Sequence, residues 1–133
     1  MKKYLILVMV ILLSSIAFSK ENTKKEPKIK FLSNRVINVG QVKQDSILSV
    51  VFEFENTGTD TLRIVDILKS CNCTSTELSK EKFAAKEKGY IEVNIDTKGK
   101  VGENKISTTI TTNTAQADYV VHVFVDVIPK QKK

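Results

Sequence analysis

The segment Ser70-Cys71-Asn72-Cys73-Thr74 carries the only two cysteines of the chain. Thiols one residue apart leave an extended backbone on the same side, with Cα atoms about 6.6 Å apart. That separation is close to the upper limit for a disulfide, so a turn at Asn72 is needed to bring the sulfurs together. Three chemistries fit the pair. A local disulfide suits an exported chain with an even cysteine count, although so small a loop adds little entropic stabilisation. A metal site would draw two thiolates from here, half of a tetrahedral shell. Acids such as Glu77, or another chain, would have to complete it. A redox dithiol is the third, but it usually has two intervening residues and a helix N-terminus that lowers the thiol pKa. The disulfide is the expectation, and metal binding or thiol redox chemistry at Cys71 and Cys73 is the alternative. Asn72-Cys73-Thr74 also matches a glycosylation acceptor, disfavoured by the adjoining cysteines.

Other reactive types are sparse. His122 is the sole histidine. It falls opposite the apolar face formed by Val121, Val123 and Val125, beside Phe124. No motif sets a serine or cysteine and an orienting acid around it, as nucleophilic catalysis requires. Gly99 and Gly102 lack the spacing of a phosphate-binding loop, and no paired acidic motif suggests glycoside hydrolysis. The residues give no catalytic set and no cofactor, and the chain reads as a non-enzyme.

The elements that must position the cysteines are strands. In Ser46 to Asn56, Leu48, Val50, Phe52 and Phe54 alternate with Ser49, Glu53 and Glu55, the period of a half-buried strand. Asn56 to Asp60 supplies turn residues, and Leu62 to Leu68 resumes as a β-branched run that leads into Ser70. Ile91, Val93 and Ile95 alternate with Glu92, Asn94 and Asp96, and Thr97 to Gly102 turns. Lys105 to Thr112 sets Ile106 and Ile110 on one face. Tyr119 to Ile128 aligns Tyr119, Val121, Val123, Val125 and Val127, while Arg35 to Val39 with Gly40 reads as an opening edge strand. Thr76 to Lys88 is open between a helical turn and a long loop. These patterns predict an all-β, antiparallel immunoglobulin-like β-sandwich of about seven strands.

The ends are of different character. Lys2 and Lys3, an apolar run from Tyr4 to Leu13, and small residues at Ala17 and Ser19 form an export signal over 1–19, with cleavage expected after Ser19. The run is short for a bilayer span, so an uncleaved membrane tether is the secondary reading. A Lys-rich linker over 20–30, a domain over 31–128 and a basic tail over 129–133 complete the division. In 133 residues there are 21 Lys and Arg against 15 Asp and Glu, a formal charge of +6 that falls to +4 when Lys2 and Lys3 leave with the signal. Much of the excess lies at the ends. Export and the absence of aromatics among the lysines exclude nucleic acid as a partner.

An ordered set of motifs resembles the bacterial envelope family labelled domain of unknown function 1573. The matches are Val39-Gly40-Gln41-Val42, Phe54-Glu55-Asn56-Thr57-Gly58, Ser70-Cys71-Asn72-Cys73-Thr74, Gly89-Tyr90-Ile91-Glu92-Val93, Asp96-Thr97, Gly102 and Thr112-Asn113. Asn72 stands where that family usually has Gly, and Ala85-Lys86 replaces its Pro-Gly turn. The resemblance implies an immunoglobulin-like fold in a bacterial envelope, of Bacteroidota type, and implies no reaction. The expectation is therefore a periplasmic or secreted structural or interaction module whose partner is another envelope protein. Its surface would be an exposed sheet edge or the loop end near Cys71 and Cys73.

Overall fold

The computed structural model describes residues 23–132. The expected signal over 1–19, its cleavage point and the start of the linker lie outside the described residues. Nine strands follow one another: β1 (Ile29–Phe31), β2 (Val36–Lys43), β3 (Ile47–Asn56), β4 (Leu62–Lys69), β5 (Thr74–Leu78), β6 (Lys82–Phe83), β7 (Lys88–Asp96), β8 (Gly102–Thr112) and β9 (Asp118–Ile128). They form a four-stranded sheet, β1-β3-β7-β5, and a five-stranded sheet, β2-β9-β8-β4-β6. The fold is an all-β, immunoglobulin-like sandwich.

Alternation builds it. Val50, Phe52 and Phe54 of β3 and Ile91, Val93 and Ile95 of β7 turn inward from one sheet. Ile106 and Ile110 of β8 and Val121, Val123, Val125 and Val127 of β9 turn inward from the other. Phe54 meets Phe83 edge to face, with centroids 4.8 Å apart, a favoured aromatic geometry.

The structure corrects three expectations. The described residues form nine strands, not about seven. The sheets are not wholly antiparallel, because β2 runs parallel to β9. Thr76 to Lys88 forms neither a helical turn nor one long loop: it contains most of β5, all of β6 and the start of β7. Ile29 and Lys30, in the stretch read as a linker, pair with Asn56 and Glu55.

One end of the sandwich is closed by Asn56. Its Oδ1 accepts from the N–H of Lys28 and Gly58, and its Nδ2 donates to the carbonyls of Asp60, Phe83 and Ala84. Gly58 allows the stretch before β1 to lie against this turn, since a Cβ there would come within 2.3 Å of the Glu26 carbonyl oxygen. Lys86 holds a left-handed φ of 68° in the turn where Ala85-Lys86 replaces Pro-Gly. The cysteine segment joins β4 to β5 at the opposite end.

Candidate interaction site

Cys71 and Cys73 are joined in a disulfide, with Cα atoms 5.1 Å apart. The separation is shorter than the extended value because the chain turns at Asn72. The Thr74 N–H donates to the Cys71 carbonyl at 3.2 Å, and the Cys73 N–H donates to the Cys71 Sγ at 3.1 Å. Asn72 is exposed, whereas both cysteines are half-buried against the core. Ser70 ties the loop to β8: its N–H donates to the Ser107 carbonyl at 2.9 Å, and its Oγ accepts from the Ser107 N–H at 2.9 Å.

The other residues with donor chemistry are dispersed. Glu77 lies on β5 opposite Glu92, and His122 lies on β9 in the other sheet. Among the described residues no three His, Cys, Asp or Glu side chains gather where a metal ion could sit. His122 does acquire a partner that no motif announced, with Ser107 Oγ 2.8 Å from its Nδ1. Hairpin register was the signal for it, since counting back from the 113–117 turn sets Ser107 opposite His122. Burial, then the nearby Lys105 and Arg35, lower the imidazole pKa below its ordinary value. Among the described residues no carboxylate is hydrogen-bonded to this ring, so the pair lacks the acid that orients a catalytic imidazole.

The distinctive feature next to the disulfide is the edge it leads into. Asp96 donates to the Cys73 carbonyl at 2.8 Å, and Ser79 donates to Tyr90 at 3.1 Å. Between these rungs Ser75 faces Asn94, and Glu77 faces Glu92. The alternation of an antiparallel ladder then assigns Ser75 and Glu77 to the hydrogen-bonded pairs. Thr76 and Leu78 direct their N–H and C=O groups the other way, off the sheet. No proline, bulge or further strand covers them among the described residues.

The other three edges are blunted. β1 has three residues and β6 two. β2 carries a register shift between Asn38 and Gln41, with Gly40 at a φ of 72°, and a bulge of this kind discourages pairing. Beyond the short β6, the Ile67 N–H of β4 is occupied by Asp66 Oδ1 at 2.8 Å. Among the described residues, β5 is the edge that pairs in unbroken register over five residues with no further strand beyond it. Beneath it, Leu78, Ile67, Cys71 and Cys73 are only partly buried while packing on the core. Asn72, Cys73, Thr74, Ser75, Asn94 and Asp96 border a shallow groove of about 260 Å³ at its start.

The family model described as protein of unknown function DUF1573 matches residues 29–127. The chain belongs to the DUF1573 family. No curated protein sequence matches it. Among solved structures, the DUF1573 domain is similar to a protein of unknown function from Porphyromonas gingivalis W83, with a TM-score of 0.68 and 12% identity, over 83% of this chain and 51% of that one. The chain thus spans about half the length of that protein. It is also similar to PapD-like domain 7 of human CEP192, with a TM-score of 0.57 and 9% identity, over 80% of this chain and 89% of that domain. A third likeness, to the VesB protease of Vibrio cholerae, has a TM-score of 0.57 and 15% identity and covers 31% of that chain. At these identities the likeness is one of fold. It agrees with an immunoglobulin-like sandwich fold for the DUF1573 domain.

Proposed function

We propose that this DUF1573 domain is an exported interaction module of a bacterial envelope, not an enzyme, and that it binds another envelope protein by accepting an extended segment along β5. The observation that carries this reading is the outward aim of the Thr76 and Leu78 backbone groups on an edge that no other described strand covers. Added strands recognise such an edge through main-chain hydrogen bonds, and pockets for alternate side chains supply selectivity. The disulfide is a staple that fixes where the edge begins. Export rests on the residue succession over 1–19 and accounts for an oxidised cysteine pair.

The test is photo-crosslinking in the producing cell, with a photoreactive residue at Glu77 beside the edge or at Val120 on the other sheet. An adduct with a second polypeptide is expected from Glu77 and not from Val120. Thr76→Pro should abolish it without unfolding the domain, because the Thr76 N–H makes no bond to β7 and proline is tolerated where that group faces outward. The same adduct in Thr76→Pro, or from Val120, would overturn the proposal.

A further inference from the structure

We infer that the segment accepted by β5 alternates apolar and basic side chains, with a Lys or Arg opposite Glu77. The inference rests on the strand-addition reading and adds the chemistry of the partner to it. Its first support lies at the opposite edge of the same sheet, where β1 is a short strand of that pattern. Ile29 and Phe31 turn inward and pack on the core, and Lys30 turns outward opposite Glu55. Phe31 reaches Phe54 and Tyr119 with ring centroids 6.3 and 6.0 Å away. The sheet thus already receives one edge strand by apolar side chains below and an ammonium above.

Edge β5 presents the same two demands unmet. On the outer face Glu77 stands directly opposite Glu92, and neither makes an ion pair among the described residues. Like charges set opposite each other on a sheet are destabilising. Among the described strand residues, Glu53, Glu55 and Asp96 share this face with Lys30 and Lys88 as its cations. The chain is basic as a whole, yet this face is acidic. On the inner side, the partly buried Leu78, Ile67 and Cys71 border a seam between the sheets that apolar side chains would close.

Register sharpens the demand. An antiparallel strand bonded to Thr76 and Leu78 places the residue opposite Glu77 in a non-hydrogen-bonded pair. Such pairs bring Cα atoms to about 4.5 Å, the closer of the two antiparallel spacings. A carboxylate there would be a third in the row Glu92–Glu77. An ammonium or guanidinium would offset both.

The experiment uses the isotope-labelled domain and two capped peptides of alternating residues, Val with Lys in one and Val with Glu in the other, followed by amide chemical shifts. The Val/Lys peptide should shift Thr76, Glu77 and Leu78, bind about tenfold more tightly than the Val/Glu peptide, and lose binding in Thr76→Pro. Glu77→Lys should reverse the preference. Equal binding of both peptides at β5, or no reversal in Glu77→Lys, overturns the charge inference and leaves strand addition standing. Shifts scattered over the acidic face and unaffected by Thr76→Pro also overturn it. Absence of any shift at β5 with either peptide at millimolar concentration overturns strand addition itself. Concentration-dependent shifts at β5 without peptide would make a second copy of the chain the occupant and overturn the inference.

Discussion

The N–H of Asp96 donates to the carbonyl of Cys73 at 2.8 Å, so the turn closed by the disulfide supplies the first rung of the ladder between β7 and β5. The cysteines therefore act on the edge through the backbone, by fixing where β5 starts and which of its residues face β7.

Replacing both cysteines, Cys71→Ser with Cys73→Ser, should then be a local lesion. The loop is among the smallest a disulfide can close, and a chain-entropy treatment gives about 1–2 kcal/mol, a fall in Tm on the order of 5–10 °C. Calorimetry should show that drop, and hydrogen exchange should speed up at Asp96 and Ser75 while β8 and β9 stay protected. Exchange at Asp96 that does not change would contradict the role of a staple.

Asn56 concentrates more stability than its size suggests. It is fully buried and bonds five backbone groups on three segments. Asn56→Ala would leave the buried Gly58 N–H without its Oδ1 partner and empty the buried space that the amide fills. It should cost about 3 kcal/mol, since each unsatisfied buried group costs roughly 1–3 kcal/mol. Urea unfolding measures this, and a loss below about 1 kcal/mol would show that water replaces the side chain.

His122 gives the fold a pH dependence of known sign. Burial and the cations Lys105 and Arg35 hold its pKa below the ordinary 6.5. On acidification the unfolded chain takes up the proton first. Its contribution is therefore intact above about pH 6.5 and declines below it, until the folded-state pKa is reached. His122→Gln removes the titration while keeping a partner for Ser107. Between pH 7.5 and 5.5 the urea midpoint of the wild type should fall further than that of the variant. Equal falls would contradict the assignment.

What the sequence disclosed follows from where burial is one-sided. Strands β3, β7 and β9 bury runs of apolar side chains, and β8 buries Ile106 and Ile110 in alternation with Thr108 and Thr112, so period-two alternation located them and most of the core. β5 escaped because its inward positions begin with Thr74 and Thr76, which fill an edge without looking apolar. β6 escaped because two residues have no period. The parallel pairing of β2 with β9 joins segments more than eighty positions apart, and alternation contains no record of partner or direction. The cysteines were legible as a pair because one intervening residue limits their options. That they open an uncovered edge depends on ladder parity, which appears only once β7 is seen beside β5.

The most direct test of the account is residue-resolved amide exchange along β5, in the free domain and with the Val/Lys peptide. The account predicts alternation in the free domain: fast exchange at Thr76 and Leu78, slow at Ser75, Glu77 and Ser79. Peptide should slow Thr76 and Leu78 and leave the others as they were. Uniform protection along β5 in the free domain, or peptide-induced protection confined to other strands, would contradict it.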